Sequence, residues 1–476
     1  MNISRNSLAL VTFALTIFTS ASLLFVVQPM IGKIILPYMG GSSSVWTTVM
    51  LFFQSMLVVG YIYAHAIAQK IPLRAQIGLH FALIGAALLT SLPFDIPTAW
   101  IQSESAPALW LLAALVVSIG LPLLVVSSSA PLFQHWFGYT DHPDTDDPYY
   151  LYAASNVGSM LALFGYPFFV ERTFGVETQT SLWAWGFGLL GVMAFGCAAL
   201  IFDWNSVPDK PEAPEAEASL TWKRRGWWLL ITFIPSSLML GVTTYLTTDI
   251  ASVPFLWVIP LGIYLLSFIL VFARLPIRLW IYRLAIPFVT LLVLSGTFTE
   301  FFGIGLVVFA HLWLFFLFAI YFHGQLAEDR PHPAHLTEYY IWMSVGGALG
   351  GLFNALIAPA VFDWMIEYYL VMALGIAAIV PYRAAEEFAA TTLKKWGAGL
   401  ALVVFVGIYF WSVGLLGLEE FGRTFGILFV VGALVAMALK FPMVQNIALA
   451  LVLLVGFSFF EAMPTDLDVA RLFRQT

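Results

Sequence analysis

Apolar runs of about 20 residues recur along almost the whole 476-residue chain, separated by short polar segments. A helix needs about 20 mostly apolar residues to cross a bilayer, and backbone inside a bilayer has to satisfy its own hydrogen bonds. Those two constraints leave an all-α polytopic membrane protein as the expected fold class. The spacing predicts helices near 7–28, 45–69, 74–92, 108–128, 148–168 and 180–202. A second set follows near 227–247, 253–273, 279–298, 302–322, 337–358 and 365–382, then further runs at 396–416, 424–440 and 443–462. Composition points the same way. Only 10% of residues are charged, against about 25% in soluble domains, too few to coat a water-facing surface. The net charge of −7 is therefore no pointer to nucleic acid, and the bilayer is the first partner. The sole cysteine, Cys197, excludes an intrachain disulfide. Arg5 and the apolar run after it, with no convincing cleavage site, read as the first span.

Lys and Arg set the orientation. With the N-terminus cytoplasmic, 15 of the 20 fall in cytoplasmic segments, and only Lys33, Arg172, Arg423, Arg471 and Arg474 lie opposite. Residues 203–226 form one Pro/Glu-rich cytoplasmic linker that cannot bury enough apolar surface to fold alone. It separates a bundle at 1–202 from one at 227–382, with 383–476 left as two or three additional membrane helices.

Two stretches about 190 residues apart are alike: DPYYLYAASNVGSMLALFGYPFF at 147–169 and TEYYIWMSVGGALGGLFNALIAPAVF at 337–362. Each opens on a tyrosine pair, continues through small residues and leaves through Pro and an aromatic. A looser match relates 22–46 to 237–257, where each predicted helix ends in a polar, unwound break. Six helices, a linker and six related helices is the major facilitator layout, two parallel repeats about an axis along the membrane normal. The expected fold is thus a 6+6 pseudo-twofold bundle plus the extra C-terminal helices.

The candidate residues follow from that layout. Asp147 before Pro148, and Thr337 with Glu338, read as helix caps, which accounts for both carboxylates. Gly346, Gly347, Gly350, Gly351 and Gly158 have the spacing that lets helices approach closely. Asn156, Ser159 and Asn354 fit either helix-bridging hydrogen bonds or the lining of a cavity. Gln28 and Lys33 lie in the first expected break and Asp249 in the second, so a cation and a carboxylate face the same seam or sit solvated at the interface. His311 stands mid-span, as a proton relay or a structural histidine. His323, His332 and His335 read as a solvated loop and not a zinc site. Tyr149 and Tyr340 are expected as gate aromatics at the cytoplasmic end. No nucleophile elbow or nucleotide loop occurs, so no catalytic residue, metal or cofactor is expected.

Three segments, FVVQPMIGKIILPYMGGSSSVW, HPDTDDPYYLYAASNVGS and LAEDRPHPAHLTEYYIWMSVGGALGGLFNALIAPAVFDWMIEYYL, together resemble the membrane half of the bacterial fused major facilitator–spermidine synthase family. The resemblance runs from about residue 20 to about 382 and implies a bacterial inner membrane. In that family a soluble aminopropyltransferase-like domain follows, with a Rossmann-type pocket for decarboxylated S-adenosylmethionine. Here more apolar runs follow residue 382 instead, so that activity is not carried over and an enzyme is not expected. Nor does GYIYAHAIAQKIPLR after the second span carry the acidic–basic signature of ordinary facilitators. The expectation is a carrier for a small polar or cationic metabolite, polyamine-like by resemblance. The alternative is a non-transporting module that docks a separately encoded spermidine-synthase-like enzyme.

Overall fold

The computed structural model describes residues 5–40, 43–97, 107–140, 142–145, 147–201, 220–247, 258–273, 275–294, 304–362 and 365–379. Most of the 203–226 linker, Asp249 and the whole of 383–476, with its expected extra helices, lie outside the described residues. Among the described residues twelve principal helices follow in chain order: α1 (Arg5–Met39), α2 (Ser43–Lys70), α3 (Leu73–Thr90), α4 (Pro107–Phe137), α5 (Leu151–Gly165) and α6 (Val176–Ile201). The others are α7 (Trp222–Tyr245), α8 (Val258–Phe272), α9 (Leu279–Leu294), α10 (Ile304–Glu328), α11 (Leu336–Leu352) and α12 (Ile366–Ala377). Nine helical segments among the described residues are long and apolar enough to cross a membrane, and α8 and α12 are shorter apolar helices.

The first expected break is absent. α1 runs unbroken through Pro29 and Pro37 to Met39, so Gln28 and Lys33 stand on a helix surface and not beside unwound backbone. A proline costs the helix one N–H donor and crowds the preceding turn, and neighbouring helices at membrane depth can absorb that cost. In the second half α7 is helical to Tyr245, and 248–257, which hold the rest of the expected break, lie outside the described residues.

The chain divides into two compact units, 1–278 with 319–361, and 279–318 with 362–476. In the first, α1 packs on α4, α5 and α6, α2 on α4 and α11, α5 on α8, and α7 on α11. Its core gathers Phe13, Phe133, Trp136, Phe137, Trp183 and Phe187. In the second, His311 Nδ1 lies 3.1 Å from the Tyr368 hydroxyl.

Lipid tails are as apolar as leucine, so helix contact here depends on close approach and polar bonds more than on apolar burial. The glycines supply the approach. A Cβ at Gly158 would run into the Phe18 carbonyl of α1, and one at Gly346 or Gly350 into the Leu229 or Phe233 carbonyl of α7. Each crossing carries the same hydrogen bond: Ser22 Oγ donates to Gly158 O at 3.2 Å, and Ser236 Oγ to Gly347 O at 2.9 Å. α5 and α11 also both end in a π-helical turn, Tyr166–Val170 and Phe353–Ile357. The likeness of the two sequence stretches thus corresponds to a likeness in packing.

Candidate functional site

The twin segments meet, within the first unit, at the end of the bundle that carries the linker. Asp147, just before α5, accepts from Arg330 Nη2 at 2.9 Å. The buried Tyr149 hydroxyl donates to Pro331 O at 2.9 Å. His65 of α2 lies with Nδ1 2.8 Å from Thr337 Oγ1, and Tyr340 donates to Gln134 Oε1 of α4 at 2.7 Å. Chain before residue 203 is thereby fastened to chain after 226 at four places.

A second layer holds the α7 side. Arg224 pairs with Asp329 at 3.2 Å and lies over the Trp228 ring, and Trp228 Nε1 donates to Asp329 Oδ2 at 2.9 Å. Arg225 Nε donates to Glu338 Oε1 at 2.6 Å. Asp147 does hold the cap position before Pro148, but its side chain makes no capping bond. The second expected cap is corrected: Thr337 and Glu338 lie inside α11, whose cap position is His335, and Asp147 and Glu338 answer guanidinium groups. A charge-assisted bond to Arg is stronger than a neutral N–H bond, so the arginines take the carboxylates.

Above this layer the rings close up. Tyr149 and Tyr340 are each 1% exposed and lie 6.1 Å apart, with Tyr339 against both. Tyr340 also meets Tyr61 of α2 at 6.1 Å and Tyr152 of α5 at 5.1 Å. Tyr264 of α8 meets Phe268 at 5.3 Å, and Phe268 in turn meets Tyr152 at 5.4 Å. One tyrosine thus comes from each of α2, α5, α8 and α11, and Tyr152 and Tyr264 are only half-buried. Asn156 stands one turn beyond Tyr152 and bonds its carbonyl at 2.8 Å. Helical rise places Tyr61, nine residues from Lys70, about 14 Å from the end of α2.

His323 overturns its sequence reading. α10 continues to Glu328, so His323 is no loop residue: it is fully buried, stacked on Phe268 at 3.6 Å, with Tyr264 edge-on at 4.8 Å. His332 does lie outside the helices, where its ring caps the short turn at Pro333–His335. The remaining candidates have protein partners or plain positions. Lys33 pairs with Glu171 at 3.5 Å, both about a third exposed. Asn354 bridges α11 to α7, donating to Ser237 Oγ at 2.6 Å. His311 faces Tyr368 in the second unit. Gln28 is half-buried on α1, and Ser159 is buried on α5. Among the described residues no three of His, Cys, Asp and Glu gather as a metal-ligand set.

Sequence reasoning missed Tyr61, Tyr152, Tyr264 and Gln134, which carry no local signature and become neighbours only through packing. Arg330 could have been found, since it is the nearest Lys or Arg before the second twin stretch.

No protein-family pattern matches the chain, and no curated protein does. Among solved structures, the chain is similar to a bacterial homologue of the iron transporter ferroportin in an outward-facing state. The identity is 14%, 79% of this chain and 96% of that one are covered, and the TM-score is 0.52. It also matches XylE, a proton:xylose symporter of the major facilitator superfamily, at 13% identity, 79% and 95% coverage and a TM-score of 0.47. Among the described residues the fold is all-α, a multi-pass membrane architecture like that of the ferroportin homologue.

Proposed function

We propose that this chain is a carrier for a small polar solute, working by alternating access between a 1–202 half and a 227–382 half. The single observation that carries the reading is the junction at the linker end. Asp147–Arg330, His65–Thr337, Gln134–Tyr340 and Tyr149–Pro331 all join one half to the other through side chains. Such bonds can part while every helix stays whole, as a rocking bundle requires. Tyr149 and Tyr340 are the gate in this reading, shut here.

The proposed solute end is the tyrosine cluster with Asn156, together with Gln28 and Ser159. Phenol hydroxyls and one amide suit a hydroxyl- or amine-bearing solute, and tyrosine faces attract an organic cation. A polyamine-like cation, the guess carried by the family resemblance, would need Asp249 as its carboxylate. Lys33, His311 and Asn354 stand as further lining candidates, each with a protein partner to leave. The charge distribution supports an inner-membrane protein with its N-terminus and linker cytoplasmic.

The test is uptake into proteoliposomes of a labelled panel of polyols, amino acids and polyamines. Saturable uptake of one class, lost in Tyr152→Ala, is expected. If no member moves while the protein stays folded, the carrier reading fails. Co-purification of a spermidine-synthase-like enzyme would then favour the docking module.

A further inference from the structure

The faces of α2 and α11 that carry Tyr61 and Tyr340 continue past them, away from the linker end. On α11, Gly347 and Gly351 follow Tyr340 by seven and eleven residues, about two and three turns, so all three share one face. On α2, Gln54 precedes Tyr61 by seven residues, again about two turns. The two faces meet twice: Tyr61 lies 6.1 Å from Tyr340, and a Cβ at Gly351 would run into the Gln54 side-chain amide. Between these contacts there is open space, because a Cβ at Gly347 meets nothing within 4 Å.

Gln54 is half-buried, and among the described residues nothing hydrogen-bonds its amide. Asn354, three residues beyond Gly351, shows the contrast: its amide is taken by Ser237 Oγ and the Gly350 carbonyl. Gln54 stands 16 residues from Lys70, about 24 Å from the linker end of α2, and a bare amide at that depth is costly unless water or a solute reaches it. The four helices that supply the tyrosines carry only two side chains of Asp, Glu, Lys or Arg, Lys70 on α2 and Glu338 on α11. Both lie on the linker side of the tyrosines, so an ion beside Gln54 finds no counter-charge on those helices. A carboxamide donates through Nε2 and accepts through Oε1, and it matches a neutral group that does both.

We propose that Gln54 is a specificity-determining residue of the solute site, hydrogen-bonding an uncharged solute that lies against Gly347 with Tyr61 and Tyr340 at its linker-side end. The inference rests on the carrier reading and narrows it to solutes with hydroxyl or carboxamide groups. An ammonium only donates and a carboxylate only accepts, so each leaves half of the amide unpaired and brings a charge besides. Gly351 is part of the device: having no side chain, it leaves the Gln54 amide room to lie at the seam. Gln54 belongs to the 1–202 half and Gly347 to the 227–382 half, so both halves contribute to the site.

The proteoliposome panel tests this, with labelled mannitol, N-acetylglucosamine and putrescine as its deciding members. The expected result is saturable uptake of mannitol or N-acetylglucosamine and none of putrescine. Gln54→Leu should raise KM about tenfold or more, the effect of one lost bond to the solute, without lowering the thermal midpoint in detergent. Gly351→Ala keeps the amide but turns it aside, and should raise KM in the same direction. Gly347→Leu fills the open space and should abolish uptake; Gly347→Ser, which should raise KM, serves if the Leu variant does not fold. Uptake confined to charged solutes overturns the proposal, as does a KM within about twofold of the unaltered protein in Gln54→Leu. If no member of the panel moves while the protein stays folded, the carrier reading itself fails.

Discussion

Arg330 and Asp147, 183 residues apart in the chain, meet at 2.9 Å with side chains about 30% exposed. A pair that wet contributes at most about 1 kcal/mol, so it biases the junction without locking it. Arg330→Ala is expected to raise the open-to-closed ratio, read by double electron–electron resonance between spin labels on cysteines placed at the exposed Lys70 and Gly226 in a Cys197→Ser background, up to about fivefold. Exchanging the charges in Asp147→Arg with Arg330→Asp should restore it. A double variant as open as the single one would show that the pairing is not what holds the ends.

Gly158 and Gly346 are expected to tolerate no larger residue. Valine at either one requires α1 or α7 to move away, and overpacking of this kind costs about 1–3 kcal/mol. Thermal unfolding in detergent should show a lowered midpoint for Gly158→Val and Gly346→Val. Gly347→Ala, where a Cβ meets nothing within 4 Å, should leave it unchanged. An equal drop in all three would point to helix propensity and not to close approach.

The 2.6 Å bond from Asn354 to Ser237 predicts a measurable coupling. A double-mutant cycle of Asn354→Ala and Ser237→Ala should give about 0.6 kcal/mol and no more than about 1.7 kcal/mol, the range found for polar pairs between membrane helices. Strict additivity would mean the two groups do not act as a pair.

Lys33 separates a structural from a transporting role. Its pair with Glu171 at 3.5 Å is half-wet, so Lys33→Ala should change stability by less than about 1 kcal/mol. Uptake that nonetheless disappears in a folded Lys33→Ala protein would place Lys33 on the solute path.

Helix placement was legible because the bilayer imposes a length that any apolar run must meet. The likeness of the two twin stretches was legible because the Tyr149–Tyr150 and Tyr339–Tyr340 pairs stand out in otherwise bland helices. Other features were not. Pro29 and the polar residues after it suggested a break, yet α1 runs through to Met39, with Met30, Ile31 and Ile35 buried on it. His323 sat at the edge of an apolar run, and the polar residues after it, HGQLAEDR, hid a further turn and a half of helix. Asp147 and Glu338 looked like caps because capping is local and visible in sequence, whereas their arginine partners come from other segments. The tyrosine cluster had no local signal: Tyr61 and Tyr264 acquire meaning only once α2, α5, α8 and α11 are brought together.

The most direct measurement locks the junction. Cysteines at 147 and 330, joined by a reducible cross-linker in reconstituted protein, should abolish uptake of whichever solute the panel identifies, and reductant should restore it. Uptake that continues at full rate with the cross-link formed would contradict the claim that these two ends must part for the solute to pass.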